Sequence, residues 1–142
     1  MQSDQMAYPM PAVFTWTVRV YYEDTDAGGI VYYANYLKFF ERARTEWLRE
    51  IKLHQQNLME THGVMFVVKR ASIDYHAPAK LDDEISLSLS IEKMGRASVE
   101  FLQQAHRGTT LLATGHVKVG CVDCAGVRPS AMPAAVAERM RS

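Results

Sequence analysis

Residues 18–48 read VRVYYEDTDAGGIVYYANYLKFFERARTEWL, and this stretch decides the fold. Its first part continues a run from Val13 in which Phe14, Trp16, Val18, Val20 and Tyr22 alternate with Thr15, Thr17, Arg19 and Tyr21. A period of two predicts a strand with one buried face. Beyond the glycines the period changes. Tyr36, Phe40, Ala43, Trp47 and Ile51 recur at helical spacing, and Leu37 and Leu48 widen the stripe. Lys38, Arg42, Glu46, Arg49 and Glu50 face away, which predicts a helix over about residues 35–54. Trp47 and the flanking tyrosines make the stripe large enough to centre a core.

The remainder reads as four more strands. GVMFVVKRASIDYHAPA (63–79) is one, closed by Pro78. DEISLSLSIEKM (83–94) sets Ile85, Leu87, Leu89 and Ile91 against Glu84, Ser86, Ser88 and Ser90, the pattern of an antiparallel sheet with one wet face. A turn at Gly95-Arg96 leads to ASVEFLQQAHR (97–107), and Gly108 leads to TLLATGHVKVGCV (110–122). These last three strands are expected to form a meander. RPSAMPAAVAERMR (128–141) suggests a short final helix with Pro133 in its first turn. A single sheet cannot hide its own apolar face, so the long helix must bury its stripe on it.

The bulk numbers bound the answer. A chain of 142 residues suits one domain, here 13–142, after a loose two-proline arm at 1–12. Formal net charge is zero, which offers no global field for nucleic acid or an anionic membrane. Two cysteines in one C-x-x-C fit a reducing compartment better than a disulfide framework. The N-terminal residues lack the basic and apolar regions of a secretory signal, and no apolar run is long enough to span a bilayer. A cytoplasmic location is expected.

Glu23, Asp24 and Asp26 fall just past the first strand and just before Gly28 and Gly29. One reading is a solvated turn, since Asp and Gly favour turns on conformational grounds. The other is chemical. The approach to the helix, IVYY, is aromatic where a solvated turn would be polar. Glycine lets backbone come close to a ligand, and a helix start presents unpaired N–H groups with partial positive charge. Such an end can hold the oxyanion of acyl transfer, with a carboxylate beside it as base or nucleophile. Arg44 falls among Phe40, Trp47 and Leu48 on the wheel, with Glu41 three residues earlier. The pair reads either as an ion pair or as a support for the loop.

Other features carry less. Cys121 and Cys124 have no second C-x-x-C and no histidine pair at ligand spacing, so they read as ordinary thiols and no metal site is expected. His76 and His116 read as surface or strand residues. Lys69, Arg70, Lys93 and Arg96 form either a phosphate grip or a solvated rim. No phosphate-binding loop, dinucleotide fingerprint or nucleophile elbow is present.

Residues 18–48 closely resemble the signature of the hotdog-fold thioesterases of the 4-hydroxybenzoyl-CoA type. They look most like the Tol-Pal system-associated acyl-CoA thioesterase branch, which shares YYEDTD, the Y-L-x-F-x-E-R-A-R helix and a tail like Cys121-Val122-Asp123 followed by Arg128, Pro129 and Pro133. The resemblance runs over nearly the whole chain from Val13. It implies an α+β hotdog fold, a long central helix wrapped by a five-stranded antiparallel sheet, assembled as a homodimer or homotetramer. It implies acyl-CoA hydrolysis with Asp26 as the catalytic carboxylate and amides around Tyr32 and Tyr33 polarising the thioester. Gly28 and Gly29 let the loop fold tightly, Val31 and Tyr32 flank the substrate, and Glu41 and Arg44 steady the loop. Coenzyme A arrives with the substrate, near an interface, against bases such as Lys69, Arg70 and Arg96. No other cofactor is implied.

Tyr33 departs from that branch, where histidine is usual; the 4-hydroxybenzoyl branch keeps tyrosine. A backbone role needs no particular side chain. Hydration of enoyl-CoA on the same fold expects an Asp and His pair, and no histidine follows Asp26 before His54. A different class remains: a non-catalytic module that binds acyl-CoA or acyl carrier protein and reports to an envelope complex, peripheral to the inner membrane. Met65, Phe66 and Phe39 are candidates for a pocket wall or for plain core.

Overall fold

The computed structural model describes residues 14–141, so the arm at 1–12 lies outside the described residues. Five strands form one antiparallel sheet: β1 (Phe14–Arg19), β2 (Val64–Tyr75), β3 (Glu84–Met94), β4 (Ser98–Arg107) and β5 (Thr110–Asp123), in the order β1-β3-β4-β5-β2. The expected meander is β3-β4-β5, and β1 and β2 are the edges. Three helices follow the same numbering: α1 (Asn35–Glu50), α2 (Gln55–His62) and α3 (Ala134–Arg141).

α1 lies against the sheet because its apolar stripe has nowhere else to go. Tyr36, Phe39, Phe40, Ala43, Trp47 and Leu48 are buried along it. Its first half packs with Val20, Ile85, Leu87 and Leu112, its second with Leu89, Phe101, Val117 and Val136. Trp47 meets the edge of Phe101 at 5.6 Å between ring centres. Close approach is set by Gly115 on β5. A Cβ there would lie 2.7 Å from Phe40 Cε2, so the Phe40 ring occupies the space the missing side chain leaves. Gln103 of β4, fully buried, donates to the Phe40 carbonyl at 3.0 Å.

The structure corrects several expectations. Tyr22 does not extend β1; it lies in a single 3-10 turn, Tyr22–Asp24, and is exposed. Trp16 on the expected inner face of β1 is also exposed. Leu37 does not widen the buried stripe but stands exposed, while Phe39, unassigned by the wheel, is fully buried. The β3 alternation holds through Leu89; Ser90 is then buried too, beside a bulge between Ile91 and Lys93.

The helix expected over 35–54 stops at Glu50. Lys52 takes a left-handed φ of 67°, and the Leu53 N–H turns back to the Leu48 carbonyl at 2.7 Å, so Leu53 is buried against the helix end. A second helix follows, α2, stopped by Gly63 at φ 67°. α3 begins after Pro133, whose carbonyl accepts from Val136 and Ala137. It packs Val136 and Met140 onto the core. No helix among the described residues is long and apolar enough to cross a membrane.

Candidate active site

The chain leaves β1 held to the β2–β3 connection: Val20 N–H donates to Asp83 O, and Asp82 N–H donates to Val20 O. The 3-10 turn then buries Asp24. One carboxylate oxygen accepts from Tyr21 N–H at 2.9 Å, the other from Asn35 Nδ2 at 2.9 Å, and the Asp24 carbonyl accepts from Tyr32 N–H at 3.0 Å. Asp24 therefore ties the end of β1 to the start of α1 through three hydrogen bonds.

Between these ties Thr25 and Val31 pair, and residues 26–30 close a hairpin. Asp26 N–H donates to Ile30 O and Gly29 N–H donates to Asp26 O, each at 2.9 Å. A three-residue loop of this kind ends in a left-handed residue, and Gly29 supplies it at φ 81°. Gly28 N–H donates to Asp26 Oδ1 at 2.9 Å. Asp26, Gly28 and Gly29 are exposed in the single chain.

The helix entry leaves two amides unspent. Val31 N–H goes to Ala79 O, Tyr32 N–H to Asp24 O, and Asn35 N–H to Tyr32 O. The N–H groups of Tyr33 and Ala34 have no partner among the described residues. Of the two amides expected to polarise the thioester, the Tyr32 N–H is taken by the Asp24 carbonyl and the Tyr33 N–H is not.

An aromatic frame holds this entry. The Tyr75 hydroxyl donates to Tyr33 O at 2.8 Å, and the Tyr33 and Tyr75 rings meet edge to face. Tyr32 stacks obliquely on Tyr33 at 4.8 Å. The neighbouring Tyr33 hydroxyl raises the Tyr32 pKa, burial raises that of Tyr75, and burial pushes Tyr36 up to about 12. These three phenols therefore stay protonated at neutral pH and cannot serve as bases there.

The other expected site residues lie apart. Arg44 does not reach the loop: its guanidinium donates to Gln103 Oε1 at 2.9 Å. Burial lowers its pKa, opposed by attraction to Glu41, which is exposed and outside ion-pair distance. Lys69 and Arg70 lie on β2 around a bulge, with the Lys69 stem over Gly120. Arg96 is exposed in the β3–β4 turn. Arg70 is five positions from Tyr75, about 17 Å of strand, so one chain does not bring the basic set to Asp26. Phe66 lines a cavity between α1 and the sheet, whereas Phe39 is core and Met65 is half-buried in β2.

Residue spacing missed the tie itself. Asp24 and Asp26 look alike in sequence, and Asn35 was not singled out. The available signal was an Asn opening the helix, a side chain able to reach back to a nearby carboxylate. Cys121 and Cys124 are free, and burial raises the Cys121 thiol. His76 contacts Thr114 and His116 contacts Glu92. Among the described residues no three metal-ligating side chains converge.

The thioesterase-like superfamily matches residues 20–140. The chain is 49% identical over 120 residues to the acyl-CoA thioesterase YbgC of Haemophilus influenzae, covering 84% of this chain and 88% of that one. It is 46% identical over 125 residues to the acyl-CoA thioester hydrolase YbgC of Escherichia coli, covering 87% and 92%. Among solved structures, a probable thioesterase from Bartonella henselae superposes with a TM-score of 0.80 at 31% identity, covering 84% of this chain and 98% of that one. A 1,4-dihydroxy-2-naphthoyl-CoA thioesterase from Synechocystis gives 0.84 at 24% identity over 91% and 96%, a likeness of fold.

Proposed function

The chain belongs to the thioesterase-like superfamily, and on that premise we propose that it hydrolyses acyl-CoA thioesters to free acid and coenzyme A. The observation that carries the reading is the Asp24 tie. It fixes the Asp26 hairpin and the unspent amides of Tyr33 and Ala34 to one another. The thioester oxygen accepts from those two N–H groups, which stabilise the negative charge that grows on it. Asp26 either takes a proton from the attacking water or attacks the carbonyl itself to form an anhydride that water opens. In both routes the C–S bond breaks, the thiolate leaves and takes up a proton, and one water is consumed. The Tyr33 side chain frames the carbonyl without exchanging a proton. The reaction calls for no metal and no cofactor beyond the coenzyme A of the substrate.

β2 is an open edge of 12 residues with Val68 exposed, an arrangement that invites pairing with a second copy. Antiparallel pairing there would set the Val64 end of one β2 beside the Tyr75 end of the other. Arg96, in the turn near the Val64 end of the sheet, would then be carried toward the hairpin of the second subunit, in place to hold a phosphate of coenzyme A, while Lys69 and Arg70 would meet their own copies at the middle of the paired strands. A homodimer or homotetramer, a place in the Tol-Pal system-associated branch, a cytoplasmic location and acyl carrier protein as a partner all rest on the sequence resemblance. Tandem-affinity capture and gel filtration test them.

Asp26→Asn is the direct experiment. Asparagine keeps the Oδ1 that accepts from Gly28, so the hairpin and melting temperature should persist. kcat/KM should fall by about 10²-fold or more, read by thiol release from a panel of acyl-CoAs. Unchanged turnover would remove Asp26 from the mechanism. A single turnover in ¹⁸O-water identifies one route: label in the Asp26 carboxylate requires an anhydride that water opens at the Asp26 carbonyl, and a general base never acquires it.

A further inference from the structure

A cavity of about 190 Å³ lies between α1 and the sheet, walled by Leu48, Phe66, Val68, Val99 and Phe101. Arg44 and Glu41 also line it. Thr45 and Gln55 are polar lining as well, and the only hydrogen bond the Arg44 guanidinium makes among the described residues is to Gln103, so most of its N–H donors are unspent beside a chamber of mixed polarity. Arg44 is half-buried, so an acyl chain filling the chamber would shield these donors from water, and a plain hydrocarbon would leave them unmatched.

The cavity also lies on the same line as the reacting end. Ala34, Leu37, Glu41, Arg44 and Leu48 follow one another at spacings of three and four, one face of α1. Leu37, exposed and absent from the core, stands on that face between the free Ala34 amide and the cavity. From Ala34 to Arg44 the helix rises about 15 Å, and an arginine side chain leans back toward the N-terminus by roughly 5 Å. The guanidinium therefore waits about 10 Å from the thioester, the reach of an extended chain of about eight carbons.

We propose that the distal part of the acyl group enters this cavity and that Arg44 donates to an oxygen on it, selecting oxygenated medium-chain acyl groups over plain ones. The oxygen is neutral, a hydroxyl or ketone: Glu41 offsets the charge of Arg44 and would repel a carboxylate. The inference rests on the thioesterase reading, and Arg44 is a specificity residue within it.

The experiment compares octanoyl-CoA with 8-hydroxyoctanoyl-CoA. The wild-type kcat/KM should favour the hydroxylated substrate by about tenfold or more. Arg44→Met should bring the ratio to near one. A purely structural role for Arg44 would lower both rates together and leave the ratio unchanged, which would overturn the proposal, as would a wild-type ratio near one. Should Arg44→Met fail to fold, Val68→Trp serves instead. It should penalise octanoyl-CoA relative to acetyl-CoA, and an unchanged ratio would sink the cavity assignment. Titration calorimetry with the octyl and 8-hydroxyoctyl thioethers of coenzyme A needs no turnover. A chain that hydrolyses neither thioester but binds the hydroxylated thioether about tenfold tighter keeps Arg44 and loses the hydrolase reading; equal binding loses Arg44.

Discussion

Tyr36→Phe should make the protein more stable, and the gain should depend on pH in a defined way. The Tyr36 side chain is 3% exposed, yet its hydroxyl has no hydrogen-bond partner among the described residues. An unpaired buried hydroxyl costs about 1–3 kcal/mol by mutational measure, so phenylalanine should recover about 1 kcal/mol or more at neutral pH. Burial also pushes the phenol from 10.0 up to about 12, helped by Tyr75 and Asp83 and opposed by Arg107. The sign follows from proton counting. Between pH 10 and 12 the unfolded chain loses this proton and the native chain keeps it, so the native state binds more protons and stability falls as pH rises. A shift of about two units corresponds to roughly 2–3 kcal/mol lost by pH 12 and nothing lost below pH 10. Urea unfolding of wild type and Tyr36→Phe at pH 8, 10 and 11.5 measures both terms. The variant should unfold at higher urea throughout, and its advantage should widen above pH 10. A variant less stable than wild type at pH 8 would mean that the hydroxyl has a partner, and the reasoning would fail.

Asn35→Ala removes the amide that meets buried Asp24 and leaves a carboxylate oxygen unpaired, so a loss of about 2–3 kcal/mol is expected in urea unfolding. Its kcat should fall more than its KM changes, because the hairpin and the helix amides lose their common anchor; a shift under about 0.5 kcal/mol would refute the tie. Gly115→Ala forces a methyl against the Phe40 ring and should cost about 1–3 kcal/mol. Adding Phe40→Leu should restore part of that loss, and a double-mutant cycle of chemical denaturation reads the coupling.

Where burial follows from local period, the sequence was readable. Ile85, Leu87 and Leu89 alternate because β3 has one inner face, and all three are fully buried. Trp47 and Phe40 recur helically and fill the core as expected. Periodicity failed where a partner distant in sequence decides. Leu37 and Phe39 both lie beside the stripe; which of them is buried depends on where the sheet sits. α2 went unread because its break is Lys52 in a left-handed conformation, without the glycine or proline that usually marks one. The site shows the same division. A tight loop was legible in Gly28 and Gly29, and the helix entry in IVYY, but the closing of that loop as a hairpin was not. That Asp24 would be the buried acid and Asp26 the exposed one depends on Asn35, eleven residues away, and Arg44 is held by Gln103, fifty-nine away.

An exposed Asp26 constrains the proposed chemistry. In open water a carboxylate and two amides lose much of their electrostatic strength, since solvent of high dielectric competes for each. One chain leaves the hairpin, Tyr32, Tyr33 and Leu37 all in contact with solvent. It also leaves β2 unpaired on one side and the bases of β2 some 17 Å from the thioester position. A second copy answers the exposure and the open edge together. Added along β2, it would shield the exposed residues, bring Arg96 from the Val64 end of its own sheet, and close the open side of the α1 face that leads to Arg44. On the proposed reading, then, drying the site and assembling the protein are a single event. That reading also accounts for why the carboxylate it assigns to catalysis is exposed in one chain: a second chain would complete its surroundings.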